Sequence, residues 1–241
     1  ARNIGYVPRS RTAARAQVYF PVYIDTNTYS TTSLTLKAGL VCVASSADEA
    51  FTFAISEDIT TTVNNGIANF GTLSDPITVY QGTYITQSFS VDGSLDQRFL
   101  LENAFIDTST IVVYVKGPSD TGMGKQYSLV DNIVGVNKDS ETYLIQEVQD
   151  QKYELLFGDG VFGKKLENGT EITVGYIISD GKAGNGPSKF NYTGTIRDTL
   201  DNIIPPQSLT KETISLEFGA IDVGVTVGAA TTSRLYLYQE T

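Results

Sequence analysis

Hydrophobic and polar residues alternate with a period of two along most of this 241-residue chain. Such alternation places every second side chain on one face of an extended strand, so it predicts sheets with one buried side. The turns between the alternating runs are rich in glycine, aspartate and asparagine. The pattern therefore predicts a mainly β protein built from several small antiparallel or mixed modules. Two short helical exceptions are expected, one over 12–16 after Ser10 and one near 198–204.

Several strands can be placed from the pattern alone. Residues 18–24 alternate strictly, and Pro21 lies within this run. Because proline has no N–H to donate to a ladder, we expect an edge strand there. The apolar run 110–116 predicts a buried strand, and shorter strands are expected near 99–101 and 143–148.

The distribution of turns divides the chain into four segments. Residues 1–16 form an N-terminal arm, and 17–97 form a first β module. A second β module spans 98–190. The C-terminal segment, 191–241, is expected to pack back on the first module.

The densest turn signal lies inside the second module. Alternating runs at 153–157 and 172–178 flank a stretch that contains Gly158, Asp159, Gly160 and Gly163. Glycine reaches positive φ without a Cβ clash, and aspartate can accept hydrogen bonds from its own turn. The stretch therefore predicts a structural turn motif that joins the two runs as a β-hairpin.

Two blocks of residues resemble a known family. The first is the order Phe-Gly-Asp-Gly-x-Phe-Gly at 157–163, followed by Asn168-Gly169, a strand with Tyr-Ile-Ile, and a Gly-Asn-Gly turn at 184–186. The second is Asn-Ile-Gly-Tyr-Val-Pro-Arg-Ser at 3–10, followed by two alanines at 13 and 14. Together they resemble the baseplate-J family. The resemblance covers most of the chain, although only these two blocks are specific, and the acidic, helical segment usual in the family does not follow, so we expect a fragment.

The resemblance implies a structural role. Baseplate-J proteins build the wedges of contractile phage tails and related injection machines. This chain would assemble through protein–protein interfaces into a ring around the tail tube, and the ring would rearrange when the sheath contracts. The expected partners are further copies of the chain and other baseplate wedge proteins. The expected location is the virion tail baseplate, assembled in the bacterial host cytoplasm.

The interface candidates are basic and aromatic residues, because such side chains often anchor protein–protein contacts. The first fifteen residues contain four of the seventeen basic residues and no acidic one. Tyrosines at both ends of the chain alternate with the aliphatic positions. The candidates are Arg9, Arg11, Arg15, Tyr19, Tyr23, Tyr236 and Tyr238. Solvated arginines and ordinary surface tyrosines are the alternative interpretation.

Composition limits the chemistry. The chain has no histidine, so Ser-His-Asp and Cys-His catalysis are excluded, and its single cysteine cannot form a disulfide within one copy. A net charge of −10 disfavours nucleic acid and anionic membranes as partners. The glycine-rich stretches lack the lysine and hydroxyl spacing of a phosphate-binding loop. We therefore expect no enzyme activity, cofactor, metal or small-molecule substrate.

Two alternatives remain open. A receptor- or glycan-binding β-sandwich of a tail-tip adhesin would have the same β pattern, although the absence of tryptophan counts mildly against a sugar platform. A carboxylate-pair hydrolase would need two acidic side chains close together in a cleft, one of them with a raised pKa.

Overall fold

The computed structural model is mainly β with almost no helix, which confirms the predicted fold class. It describes residues 10–24, 30–46, 49–72, 74–94, 96–130, 135–184, 187, 190–204 and 237–238. Its strands, in chain order, are β1 (Arg15–Val18), β2 (Phe20–Tyr23), β3 (Ser33–Leu36), β4 (Gly39–Ser46), β5 (Glu49–Ile55), β6 (Ile59–Asn64), β7 (Ile67–Phe70), β8 (Ile77–Gln81), β9 (Thr83–Ser90), β10 (Phe99–Leu101), β11 (Ile106–Lys116), β12 (Lys125–Leu129), β13 (Thr142–Glu147), β14 (Tyr153–Phe157), β15 (Glu171–Ile178), β16 (Phe190–Tyr192), β17 (Ile196–Arg197), β18 (Ile203–Ile204) and β19 (Leu237–Tyr238). Two short 3-10 turns lie at Gln149–Gln151 and Gly181–Gly184.

The chain divides into two compact units. Unit 1 contains Ile85–Ile178 and the described part of Ala1–Arg11, whereas unit 2 contains Thr12–Tyr84 and the described part of Ser179–Thr241. The predicted segments end elsewhere, at residues 16, 97 and 190. The chain therefore leaves unit 2, completes unit 1 and then returns to unit 2.

Unit 1 is organised by one seven-stranded sheet in the order β10-β14-β13-β12-β11-β15-β9. Strands β12 and β13 pair in parallel, while β11 pairs antiparallel with both of its neighbours. The alternating side chains of these strands form one apolar core. Its fully buried members are Leu101, Ile106, Val113, Leu155, Ile172, Val174 and Tyr176.

The two edge strands of this sheet, β9 and β10, are joined by glutamine side chains. The amide of Gln87 donates to the carbonyl of Leu100 at 3.0 Å and accepts from the N–H of Glu102 at 3.2 Å. In return, Gln97 donates to the carbonyl of Ser90 and accepts from a backbone N–H at Asp92. A side-chain amide has the same donor and acceptor as a peptide group, so these glutamines satisfy edge groups that a sheet otherwise leaves unpaired.

Aromatic packing also joins the edge strands β9 and β10. The rings of Phe89 and Phe99 meet edge to face, with 5.6 Å between their centroids, and Phe99 also contacts Phe157 at 5.4 Å. Such pairs are favourable beyond the area they bury. The predicted strand near 99–101 is thus present as β10, and it is joined to β9 by these contacts.

Unit 2 is built from two six-stranded sheets. One has the order β16-β4-β5-β8-β1-β19 and the other β18-β17-β3-β6-β7-β2. Side chains from both sheets belong to a single core, as expected for two sheets packed face to face. Its fully buried members include Ala16, Val18, Val22, Leu34, Leu36, Val41, Cys42, Phe53, Ala68, Phe70 and Val79.

One alternating run contributes to both of these sheets. β1 pairs with β8 in the first sheet, and β2 pairs with β7 in the second, so the chain changes sheet at Tyr19. The alternation of buried residues continues through the change, because the inward side chains of both strands point into the same core. β2, with Pro21, lies at the edge of its sheet, as the missing N–H predicts.

The predicted N-terminal helix is wrong. Residues 11–14 have no regular structure, and Arg15–Val18 is a strand. Ala14, Ala16 and Val18 are buried at a spacing of two, so burial against the sheet determines the local conformation. The hydroxyl of Ser10, the predicted helix cap, accepts a hydrogen bond from Thr108 instead.

The helical turn predicted near 198–204 is also wrong. Strands β17 and β18 pair antiparallel across a turn in this region. The carboxylate of Asp198 accepts hydrogen bonds from the N–H groups of Leu200 and Asn202 and thereby closes the turn. Aspartate favours such local bonds over helix.

The predicted hairpin is wrong as well. β14 pairs with β13 and β10, whereas β15 pairs with β11, so three strands separate the two. The long strand β11, buried at 110–113, provides a partner for β15. The stretch between β14 and β15 is therefore a crossing connection rather than a hairpin turn.

The C-terminal segment returns to unit 2 where it is described. β16 pairs with β4, and β17 pairs with β3. The strands predicted at 214–227 lie outside the described residues, so the prediction for 191–241 as a whole stays a prediction.

We predict that Gln87→Met destabilises the protein by about 1–3 kcal/mol, because the substitution leaves the carbonyl of Leu100 and the N–H of Glu102 without their partner. The measurement is the free energy of unfolding in urea. Gln146→Met on the exposed face of β13 is the control, and it should change stability by less than about 0.5 kcal/mol. Equal effects of the two substitutions would contradict the role of Gln87.

Candidate functional site

The candidate site is the loop that follows β14, Gly158–Gly163, called the Gly-Asp loop below. Its shape is fixed by Asp159, whose Oδ1 accepts hydrogen bonds from the N–H groups of Val161 at 2.8 Å and Phe162 at 2.9 Å. The N–H of Gly160 donates to the carbonyl of Gly163 at 3.1 Å. A single carboxylate thus organises the turn.

The two ends of the Gly-Asp loop touch through their backbones. A Cβ on Gly158 would lie 2.1 Å from the carbonyl carbon of Gly163, so no other residue fits at 158 without movement. Gly163 has a φ of +84°, which favours glycine. Its N–H donates to the carbonyl of Asn137, and the N–H of Lys164 donates to that of Ser140. The loop is therefore held by the backbone contact between its own ends and by hydrogen bonds to the 137–140 turn.

This fixed loop exposes two apolar side chains. Val161 is 66% exposed and Phe162 is 61% exposed. Exposed single hydrophobic residues are ordinary, but here an ordered turn presents two adjacent ones at its tip. The geometry suits contact with another molecule.

A cavity of about 260 Å³ lies beside the Gly-Asp loop. Its apolar wall includes Val91, Phe99, Phe157 and Leu166, and its rim includes Lys165. Phe157 belongs to an aromatic cluster in which it contacts the rings of Phe99, Tyr127 and Tyr143. The cavity is thus a recess lined by both apolar and polar groups, the polar ones including Ser94, Gln97 and Glu154.

A second cavity of about 200 Å³ is lined by Lys125, Lys164 and Lys165. Lys164 and Lys165 lie in the connection between β14 and β15. Glu141 accepts hydrogen bonds from Lys125 at 2.9 Å and from Lys164 at 3.4 Å. These lysines, Lys125 first, hold the pKa of Glu141 below its usual range. Because one carboxylate offsets part of the lysine charge and Asp120 and Glu167 also line the cavity, the arrangement is not a dedicated anion site.

The described carboxyl groups with shifted pKa values all shift in the same direction. Hydrogen bonds from N–H or cationic donors lower the pKa of each; the groups are Asp92, Glu141, Glu154, Asp159 and Asp198. None of these five provides the raised pKa that the carboxylate-pair hypothesis requires. Among the described residues, no group of three or more acidic or cysteine side chains is arranged to hold a metal ion.

Two of the three arginine candidates, Arg11 and Arg15, contact aromatic rings within the chain. Arg9 lies outside the described residues. The guanidinium of Arg11 sits over the ring of Phe105, 4.1 Å from its centroid, and that of Arg15 sits 5.2 Å from the ring centroid of Tyr80. Cations over aromatic faces are attracted by the ring quadrupole.

Of the four tyrosine candidates, only Tyr19 and Tyr23 have described side chains. Tyr19 and Tyr23 are half-buried, and the buried hydroxyl of Tyr19 has no hydrogen-bond partner; its burial raises the pKa of Tyr19. Tyr236 lies outside the described residues, and Tyr238 is described only as the residue opposite Arg15 in the ladder between β1 and β19. The role of these residues in an interface stays a prediction.

Val161, Phe162 and the cavity are absent from the sequence-based candidates. The sequence does contain a signal for the exposed tip. Val161 and Phe162 are two large apolar residues inside a glycine-rich turn, where they cannot join an alternating strand. The cavity had no such signal, because it combines residues from the 91–97 segment, β10, the end of β14 and the 165–166 segment.

No protein-family model matches this chain, and no curated protein is significantly similar to it. The resemblance to the baseplate-J family therefore rests on the two residue blocks alone. None of the helices in the described ranges is long and apolar enough to cross a membrane.

We predict that Gly158→Ala destabilises unit 1 by about 1–3 kcal/mol, since its methyl group would overlap the backbone of Gly163. The measurement is the urea midpoint of unfolding. Gly135→Ala is the control for adding a methyl group where nothing lies within 4 Å, although its φ of +96° adds some strain. A Gly158→Ala protein as stable as the unsubstituted protein would contradict the close backbone contact.

We also predict a pH-dependent loop. Hydrogen bonds from Phe162 and Val161 lower the pKa of Asp159, so the ionised carboxylate stabilises the turn above the ordinary Asp pKa. This contribution is lost as the pH falls through the lowered folded-state value. In an NMR titration, the amide signals of Val161 and Phe162 should shift together below pH ~3.9. Asp159→Asn, which keeps an acceptor, should abolish the titration but retain the turn.

Proposed function

We propose that this protein is a non-enzymatic structural subunit of a contractile-tail baseplate, similar to the baseplate-J wedge proteins. It would assemble with further copies and with other wedge proteins around the tail tube. Its location would be the virion tail baseplate, after assembly in the bacterial host cytoplasm. The ring would rearrange when the sheath contracts.

The observation that carries this proposal is the form of the Gly-Asp loop. The block that resembles the family is an ordered loop, fixed by Asp159 and by a backbone contact between two glycines, and its apolar tip is exposed. An ordered surface loop with exposed anchors fits assembly, because little ordering entropy is lost when it docks.

The mechanism would be geometric. Unit 1 closes its two sheet edges with side-chain amides, and unit 2 buries one core between two sheets. Both are suited to act as rigid bodies within a larger ring. Rearrangement would then occur between subunits rather than inside these units.

The adhesin alternative has one observation in its favour. Unit 2 has two packed sheets, the architecture of many carbohydrate- and receptor-binding modules. Unrelated functions share this architecture, so it does not decide between the two proposals.

The deciding experiment localises the chain in purified contractile-tail particles from its source. We expect stoichiometric amounts of the protein by quantitative mass spectrometry and antibody-gold labelling at the baseplate end. Labelling at fibre tips, together with binding on a glycan array, would establish the adhesin alternative instead. Absence of the chain from intact particles would overturn the proposed function.

A further inference from the structure

A buried glutamine joins the two parts of unit 2. Gln81 is the last residue of β8 and is 1% exposed, and the chain leaves unit 2 after Tyr84. The chain returns to unit 2 at Ser179, which is also 1% exposed. Polar side chains are rarely buried so completely unless their hydrogen bonds are made inside the protein. The partners of Gln81 therefore show what holds the return of the chain.

The side-chain amide of Gln81 bonds to the returning chain through both of its polar atoms. Its Oε1 accepts hydrogen bonds from the hydroxyl of Ser179 at 3.0 Å and from the backbone N–H of Asp180 at 3.1 Å. Its Nε2 donates to the carboxylate of Asp180 at 2.9 Å. The backbone N–H of Gln81 donates to the carbonyl of Ala14 at 2.7 Å, so the residue is held from the other side as well. Because the amide is buried, its polar groups are costly to leave without these partners.

The turn after Asp180 packs against the same side chain. The hydroxyl of Ser179 accepts a hydrogen bond from the N–H of Gly181 at 2.9 Å, where the 3-10 turn Gly181–Gly184 begins. A Cβ on Gly184, at the other end of this turn, would lie only 2.8 Å from Cδ of Gln81. The turn therefore lies directly against the glutamine, which fixes the position of the returning chain.

The strands that follow this turn are short. β16 has three residues and pairs with β4, and β17 has two residues and pairs with β3. In contrast, β4 pairs with β5 from Gly39 to Ser46. Because short ladders supply few hydrogen bonds, we expect β16 and β17 to open more readily than the strands they join.

We propose that Gln81, Ser179 and Asp180 form a latch that controls a local opening of unit 2. The segment that opens, called the return segment, comprises residues 179–184 and 190–204. While the latch is closed, β16 and β17 stay paired with β4 and β3. When the latch opens, the return segment separates from unit 2 and the strands from β1 to β8 keep their pairing. This inference goes beyond the proposed function and does not depend on it.

The latch limits the exposure of sheet edges. β16 borders one sheet of unit 2, and β17 lies with β18 at the end of the other, so opening frees an edge in both sheets. Free edges are templates for pairing with other chains, and native proteins keep them covered. A bonded amide ahead of two short strands thus reduces unintended association.

The single cysteine of the chain is a native probe of this opening. Cys42 is fully buried in β4, directly opposite Tyr192 of β16 in the ladder. Burial raises the pKa of its thiol, so the closed state reacts slowly with thiol reagents. Separation of β16 uncovers Cys42, and its labelling rate under native conditions therefore measures how often the return segment opens.

The test compares Gln81→Met with a control that destabilises unit 2 elsewhere. Gln81→Met retains much of the side-chain volume but removes the amide, and Cys42 should be labelled about tenfold faster or more, as expected when buried polar groups lose their partners. Val22→Ala truncates a fully buried side chain in β2, an edge strand that three strands separate from β17. It should lower the urea midpoint at least as much, yet change the labelling rate by less than about twofold.

A double-mutant cycle tests whether the latch residues act together. Ser179→Ala removes one hydrogen bond to Gln81 and should accelerate labelling by a smaller factor than Gln81→Met. In the Gln81→Met background the same change should have less effect, because that bond is already lost. Ser179→Ala also provides the test if circular dichroism shows that Gln81→Met does not fold.

Three outcomes would overturn the inference. The first is a labelling rate that Gln81→Met and Ser179→Ala leave unchanged. The second is an equal acceleration by these variants and by Val22→Ala, which would mean that Cys42 reacts only after global unfolding. The third is a pair of effects that multiply fully in the double variant, which would mean that Gln81 and Ser179 act independently.

Discussion

Every backbone N–H and C=O at the edge of a sheet needs a hydrogen-bond partner, and unit 1 depends on how it meets this requirement. The strands β9 and β10 end the seven-stranded sheet, yet two glutamine amides occupy the places where a further strand would bond. With the edges joined, the aromatic cluster around Phe99 and Phe157 is enclosed at one end of the sheet. The cavity beside the Gly-Asp loop is part of that end.

The Gly-Asp loop depends on the same end of the sheet. It leaves β14 at Phe157, which is an aromatic partner of Phe99. The direction of the loop is then fixed by Asp159 and by the contact between Gly158 and Gly163. Order at the tip therefore follows from the packed core beneath it.

Alternation identified the fold class and many strand positions, because a period of two depends only on which side chains are buried. Alternation does not predict which strands pair, because strands with the same alternating pattern can pair with different neighbours. The runs at 153–157 and 172–178 were each recognised as strands, but nothing in their pattern specifies that β13 and β11 are their neighbours. The helix expected over 12–16 depended on Ser10 as a cap, whereas the burial of Ala14, Ala16 and Val18 at a spacing of two places this stretch against the sheet.

The candidate site was predictable only in its turn chemistry. Gly158, Asp159 and Gly163 can be recognised from residue type, since each has a conformational reason to be there. The cavity could not be predicted, because it combines residues from four separate segments. The two glutamine bridges could not be predicted either, because the sequence does not show which strands form the edges of the sheet. Such non-local features arise from topology, which a single sequence does not specify.

The discontinuity of unit 2 has a consequence for synthesis of the chain. Its first part ends at Tyr84, and the strands that complete both of its sheets, β16 and β17, follow only after residue 178. At about 5–20 residues per second, the ribosome needs roughly 5–20 seconds to produce the intervening unit 1. During that interval β4 lacks its partner strand β16 and β3 lacks its partner strand β17, while the contiguous strands of unit 1 can already pair. The order of emergence thus makes unit 1 the part of the molecule that can mature first, and the two sheets of unit 2 are completed afterwards.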